Sequence, residues 1–382
     1  MKTARLWVLP FFLFISSLSI AADFAQDLDQ LRYATKIANI QTRDLEKYLD
    51  PTQGPTSFRL SDRRAPWAGN YFPMKEGGIA QRWQVGEFPK KTLSQKEVKR
   101  LSAEELKTLS PIEKYDLLVG DYDFKATNFE LLNRGPLRNP PAEVWEGFCN
   151  GVRCAGFLLP EPHFPVRVSN ADGLLIEFQP TDLKALAGAS YFYVEKYAGL
   201  GAPSRNAAVA ESQPNPAIFD MALRYNLGTR NKAFVVDSNL TSEIWNETVV
   251  GYERELGPEI RIRDKEKRAF PEAVAKRVVK LRLETLGEID ATNSNTPTRA
   301  AVASGEHLQE IRATYSLYLN AEGIAVGGVW HKENKERGID FAWFAAGQGA
   351  DGDYGQNSFL DFKTLRNLFK ESARPMCNKA LL

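Results

Sequence analysis

Of the 382 residues, 43% are hydrophobic and 25% charged, enough apolar material for one large domain or two ordinary ones. Lys and Arg number 49 against 48 Asp and Glu, a net charge of +1 that gives no footing to nucleic acid or an anionic membrane as partner.

At the N-terminus, Lys2 and Arg5 precede an apolar run from Leu6 to Ile20 that ends in Ala21-Ala22-Asp23. This pattern predicts a secretory signal peptide over 1–22, too short for a comfortable membrane span and without a Cys for a lipid anchor. No later run approaches ~18 apolar residues, so the mature chain is expected to be soluble and exported, periplasmic or secreted. Phe24, Leu28, Leu31, Ile37, Ile40, Leu45 and Leu49 recur at roughly helical spacing and predict an amphipathic helix. Pro51 to Pro66 breaks it, and an aromatic stretch from Trp67 to Trp83 follows, of a kind that packs a core. Ser94-x-x-Glu97, Ser102-x-x-Glu105 and Ser110-Pro-Ile-Glu113 are capping boxes that predict short helices leading to Gly120. The region 23–120 is thus read as helical, ahead of an α+β domain over 121–382.

Gly135 to Pro141 is a stiff loop delivering the chain to Trp145-Glu-Gly-Phe-Cys149-Asn-Gly-Val-Arg-Cys154-Ala-Gly156. A Trp and a Gly leading into a Cys, with small residues after it, suit a thiol at the start of a helix packed closely on its neighbours. Unpaired N–H groups and the helix dipole there favour thiolate, the form that attacks a carbonyl. The motif is short, and a free Cys is more often a small core residue. Three cysteines in an exported chain leave at least one unpaired within the molecule. If Cys154 pairs with Cys377, Cys149 is the thiol left over. Positions 149 and 154 point to different faces of a helix, so they are not expected to bond to each other. Trp67 and Trp145 are expected to be buried beneath this helix.

Val166–Val168 and Leu174–Phe178 flank Ala171-Asp172-Gly173, the chemistry of a hairpin turn. Thr181 opens a helix to about Glu195, and 199–216 reads as a surface loop. Ala217 to Tyr225 and Ala233 to Asp237 read as strands, with Ile218, Asp220 and Ala222 on one face of the first. Strict alternation predicts strands at Val279–Glu284 and Tyr315–Leu319, then a turn at Asn320–Gly323 into Ile324–Trp330, and a last strand at Asp340–Trp343. The Gly/Asp loop 347–355 carries Asp351 and Asp353 without the spacing or terminal Glu of an EF-hand, so no cofactor is expected and calcium has no motif behind it. The fold class is α+β: N-terminal helices, then a nucleophile helix against a largely antiparallel sheet.

Pro66-Trp67-Ala-Gly-Asn-Tyr71, Leu109-Ser-Pro-Ile-Glu-Lys-Tyr115-Asp-Leu-Leu-Val-Gly120, Trp145-Glu-Gly-Phe-Cys149-Asn-Gly151, Leu159-Pro-Glu-Pro162, Asp182-Leu-Lys-Ala-Leu186, Asn215-Pro216, and Asp237 followed by Ile244-Trp245-Asn246 together span most of the mature chain. In this order they resemble the transglutaminase-elicitor family of exported oomycete and bacterial proteins. The resemblance implies a papain-like or transglutaminase-like site with an acyl-enzyme mechanism. A Cys attacks a glutamine side-chain amide of a protein or peptide, ammonia leaves, and a primary amine or water resolves the thioester. Carried over by position, Cys149 is the nucleophile and Asp237 the orienting acid. The partner His is expected on the Ala217–Tyr225 strand, where this sequence has Asp220.

Asn150 stands where the family has His after the Cys, and Gly338-Ile339-Asp340 where it reads His-Pro-Asp. These departures bear on mechanism, because a carboxylate of ordinary pKa is a poor proton donor near neutrality and would raise a neighbouring thiol pKa. Only His163, His307 and His331 remain, with His331 the one that follows a predicted strand. Two functions result: an exported acyltransferase with altered acid–base groups, or a catalytically degenerate relative serving as a binding or structural envelope protein. On the first, Asp220→His is expected to speed alkylation of Cys149.

Overall fold

The computed structural model describes residues 15–37, 41–61, 63–192, 197–202, 213–299, 304–331, 338–345 and 356–373, with side chains from 24 onward except that of Tyr197. Its helices are α1 (Ile15–Ile37), α2 (Gln95–Val98), α3 (Ala103–Thr108), α4 (Pro111–Leu118), α5 (Lys125–Asn133), α6 (Cys149–Leu158), α7 (Pro180–Ser190), α8 (Pro216–Ala222), α9 (Asp264–Ala269) and α10 (Phe362–Ser372). The strands are β1 (Ser57–Arg59), β2 (Val166–Ser169), β3 (Leu175–Phe178), β4 (Tyr197–Leu200), β5 (Phe234–Asp237), β6 (Asn246–Leu256), β7 (Ile260–Arg261), β8 (Ala275–Leu286), β9 (Leu308–Leu319), β10 (Ala325–Trp330) and β11 (Ala342–Ala345).

Local chemistry sets many of these boundaries. In each capping box the serine side chain accepts from the backbone N–H of the glutamate, whose carboxylate takes the serine N–H in return, and α2, α3 and α4 start there. The expected hairpin is β2–β3, its turn closed by Asn170 Oδ1 accepting from the N–H groups of Asp172 and Leu174. The first helix stops at Ile37, and Leu45–Leu49 is a separate 3-10 turn. Helix α7 is capped by Gln179 and Asp182 rather than by Thr181, and it ends at Ser190. Thr181 instead donates to the Ala291 carbonyl at 2.6 Å. The expected strand at 340–343 begins two residues later, at Ala342. The loop 347–355 and Cys377 lie outside the described residues.

One expectation is overturned: 217–225 is helical. Helix α8 runs into a π-helical turn at Leu223–Thr229. Asn215 Oδ1 accepts from the Ala217 N–H at 3.1 Å and Pro216 occupies the first turn, a good helix start. Every residue from 216 to 227 is buried, so its apolar run has no exposed side from which a period could be read.

The strands order as β10-β9-β8-β6-β5-β11-β4 in one nine-stranded sheet, with β1 on β6 and β7 on β8, every pairing antiparallel. Alternation sorts the side chains of this sheet between two cores. Phe234 and Val236 of β5, with Ala342 and Phe344 of β11, join α8 and the residues Leu31 and Ala34 of α1 on one face. Val235 and Trp343 join α4, α6, α7 and α10 on the other. Both cores take residues from either side of position 120. Among the described residues no helix is long and apolar enough to cross a membrane.

Candidate active site

The cysteine helix is placed by close backbone approaches. The Phe148 N–H donates to the Tyr71 carbonyl and the Met74 N–H to that of Glu146, which brings the aromatic stretch against the loop ahead of α6. A Cβ at Gly147 would stand 2.6 Å from the Tyr71 carbonyl oxygen, so only glycine fits there. Four residues on, a Cβ at Gly151 would lie 1.9 Å from the Gly188 carbonyl, and α6 therefore crosses α7 at backbone contact. Asn150 fastens the same crossing by donating to the Phe192 carbonyl at 2.7 Å. Trp67 is wholly buried, as expected, whereas Trp145 is half-buried and forms part of a cleft wall.

The cleft holds about 500 Å³ and includes Cys149, Asn150, Trp145, Phe341 and Trp343 in its lining. Cys149 is 7% exposed, and it and Cys154 are both free thiols, not bonded to each other. The Cys149 Sγ accepts a hydrogen bond from Asn246 Nδ2 at 3.3 Å. Asn246 is the first residue of β6, and its Oδ1 accepts from Trp343 Nε1 at 2.7 Å. Its backbone carbonyl accepts from Arg153 Nε at 3.0 Å, and Arg153 Nη2 reaches Glu288 Oε1, again at 3.0 Å. Glu288, Arg153, Asn246 and Cys149 thus form one connected path, three of them unassigned by the sequence reading.

Burial pushes the Cys149 thiol up, and the neighbouring Glu288 carboxylate adds to this. Hydrogen bonds from Asn246 and the charge of Arg153 pull the other way and do not win. Glu288 is itself pushed up to about 7, chiefly by burial, although a quarter of its side chain still meets solvent. The thiol form therefore dominates near neutral pH, despite the helix start beneath it.

Asp237 is brought to the site. It closes β5 directly across from Asn246 in the β5–β6 register, so the two share a face. Its Oδ1 accepts from the N–H groups of Asn239 at 3.1 Å and Trp245 at 2.9 Å, while Oδ2 is buried without a hydrogen-bond partner among the described residues. Burial pushes this carboxyl up to about 7, with Asp340 and Glu247 adding to the rise.

Asp220 is not brought there, and the expected Cys149–Asp220 pairing is corrected. Helix α8 lies on the other face of the sheet, where the Asp220 carboxylate is fully buried. Arg224 Nε donates to it at 2.8 Å, Arg254 lies against it with Nε 2.9 Å from Oδ1, and the Tyr315 hydroxyl donates to Oδ1. It is an ion-pair hub. None of the three histidines lines the cleft: His331 is exposed with Nε2 2.9 Å from Ser316 Oγ, His163 stands 3.8 Å from Glu161, and His307 is exposed. A side chain at Gly338 would meet Leu240 at 2.8 Å. Among the described residues no group of three or more His, Cys, Asp or Glu could hold a metal ion.

Trp343 and Arg153 carried no sequence signal beyond an apolar strand and a helix. Asn246 lies in the Ile244-Trp245-Asn246 segment, and the pairing of β6 with β5 sets it opposite Asp237.

A thiol opening a helix, facing an antiparallel sheet across an aromatic cleft, defines a papain-like or transglutaminase-like thiol protein in its architecture. The chain belongs to the transglutaminase elicitor family, whose model matches residues 141–375. Its fold is similar to that of the GP42 transglutaminase from Phytophthora sojae, with a TM-score of 0.65 and 22% identity, covering 91% of this chain and 98% of that one. No curated protein matches the chain in sequence.

Proposed function

We propose that this chain is an exported transglutaminase-like protein whose thiol cleft binds a protein segment without completing acyl transfer. One observation carries the reading: the Cys149 sulfur is held by the Asn246 amide, and no imidazole lines the cleft. An amide can donate to sulfur but cannot take its proton or return one to leaving ammonia. The aromatic, partly enclosed cleft is of a size suited to a side chain or short peptide stretch. The leader-like sequence pattern of 1–22 supports export.

The test is incorporation of a labelled primary amine into a glutamine-containing protein, with Cys149→Ala as control. No label above the control is expected. Alongside it, a fluorescence titration with a glutamine-containing peptide should saturate, and Trp145→Ala should weaken that binding while leaving most of the stability. Absence of binding would remove the proposal.

A second reading has a specific observation behind it. Glu288, pushed up to about 7 near the thiol, is a carboxylate that could accept the thiol proton in a slow acyl transfer. Label above the Cys149→Ala control, lost in Glu288→Gln, would put that reading first.

A further inference from the structure

Independently of how the thiol is read, we propose that the stretch from β7 through α9 to the start of β8 is a docking surface for a membrane carrying anionic phospholipid. Arg261, Arg263, Lys265, Lys267 and Arg268 are five exposed cations on this short stretch, and none forms an ion pair among the described residues. Beside them Ile260 and Val274 are each 45% exposed, and the pairing of Ile260 with Lys276 sets the two aliphatics on neighbouring strands. Between Glu259 and Arg277 there are seven Lys and Arg against four Asp and Glu, a local charge of +3. The rest of the chain therefore carries −2 of the overall +1, and the balanced total conceals a one-sided patch.

The inner side of this stretch is fastened to the sheet, which fixes what it displays. Glu266 of α9 accepts from Lys276 Nζ and from the Tyr318 hydroxyl at 3.1 Å, and Phe270 is buried with its ring stacked 3.9 Å from that of Tyr318. Lys265, Lys267 and Arg268 are left facing water around that anchor. Phospholipid phosphates attract such cations, and aliphatic side chains set among them enter the boundary between headgroups and acyl chains. A soluble polyanion would satisfy the cations and leave Ile260 and Val274 in water, so the pair of features fits lipid better. The patch is also remote from the cleft. The 12 residues of β8 put roughly 36 Å between Ala275 and Leu286. Leu286 pairs with Thr248, two residues from the Asn246 that holds the Cys149 sulfur. A chain docked by α9 thus keeps its thiol cleft at the far end of the sheet, open to a protein segment.

The experiment is co-sedimentation of the purified full chain with vesicles of phosphatidylcholine alone and of phosphatidylcholine mixed with phosphatidylglycerol. The apolar run at 6–20 is indifferent to headgroup charge, so the readout is the difference between the two vesicles. Partition should be at least roughly tenfold higher on the anionic vesicles, and salt raised from about 0.05 to 0.5 M should remove most of that gain. Arg261→Gln, Lys265→Gln, Lys267→Gln and Arg268→Gln combined should abolish the preference, whereas Lys96→Gln, Lys99→Gln and Arg100→Gln, at exposed cations elsewhere, should retain it. Ile260→Ser with Val274→Ser should weaken anionic-vesicle binding several-fold. Equal partition into both vesicles would overturn the proposal, as would a loss no greater at the α9 patch than at the control cations. Binding unaffected by the serine pair would mark a surface for any polyanion and overturn the assignment to lipid. The salt series on the native protein decides the matter if a variant fails to fold. Cys149→Ala should leave vesicle binding unchanged, and the four glutamines should leave Cys149 alkylation unchanged, so this proposal and the reading of the thiol stand or fall separately.

Discussion

At the residue scale, the sulfur of Cys149 responds to charges it does not touch. The Glu288 carboxylate holds the thiol up, so Glu288→Gln should lower its pKa and speed alkylation several-fold at about pH 8, where Glu288 is ionised in the native protein. The glutamine keeps an oxygen for Arg153 Nη2, which limits the structural cost. An unchanged rate–pH profile would show that the carboxylate does not act on the sulfur. Asp237 gives a second outcome with a definite sign. Its carboxyl titrates at about 7 in the fold, against an ordinary value of 3.8. The folded state therefore binds this proton more tightly than the unfolded state. Its stabilising effect is complete below about pH 4 and is lost as pH rises through about 7. Asp237→Asn keeps the oxygen used by Asn239 and Trp245 and carries no charge. The fall in Tm between about pH 5 and pH 8 should be shallower in that variant, with its Tm the higher of the two at pH 8. Parallel Tm curves would mean that Asp237 does not titrate in that window.

At the element scale, the helix bearing Cys149 is located by backbone contact more than by side chains. Gly151→Ala forces a methyl into the Gly188 carbonyl, so it should destabilise by more than about 3 kcal/mol or abolish soluble expression. A near-native melt would show that α6 and α7 can separate. Ser110→Ala removes the side-chain half of a cap on a buried helix start and should cost about 1 kcal/mol by denaturant titration, within a usual range of roughly 0.5–2. The same elements show what could be read in advance. The capping boxes, the β2–β3 hairpin and the alternating Val279–Glu284 of β8 were legible because each has a solvent side or a terminal hydrogen bond that restricts residue choice, whereas Tyr315–Leu319 of β9 was legible by its aromatic and aliphatic alternation although all five residues are buried. Helix α8 was misread because burial on every side leaves no period. Strand β6 went unseen for the same reason along most of its length, its first seven residues being buried. Missing β6 hid Asn246 and its hydrogen bond to the Cys149 sulfur. Cys149 and Asp237 were legible through the resemblance, and Glu288 was not, because its effect on the thiol depends on packing between segments far apart in the chain.

On the scale of the whole molecule, the sheet keeps two populations of side chains apart. On one face Asp220 gathers Arg224, Arg254 and Tyr315, and these arginines also donate to the carbonyls of Asp50, Pro51 and Gln53. That network fastens the segment after α1 to the sheet. Removing one partner from a buried ion pair leaves charge uncompensated, so Asp220→Ala should cost on the order of 3–5 kcal/mol. It should leave the alkylation profile of any remaining folded protein unchanged, since the thiol lies across the sheet. A selective change in Cys149 reactivity without loss of stability would contradict this division. For heredity and engineering alike, the partition loosens the link between chemistry and survival of the fold. Residues at the thiol cleft can drift, or be randomised in a library, while the arginine-bound face continues to secure the chain. A lineage can thus keep this architecture through the loss of a reaction and regain one later from a stable starting point.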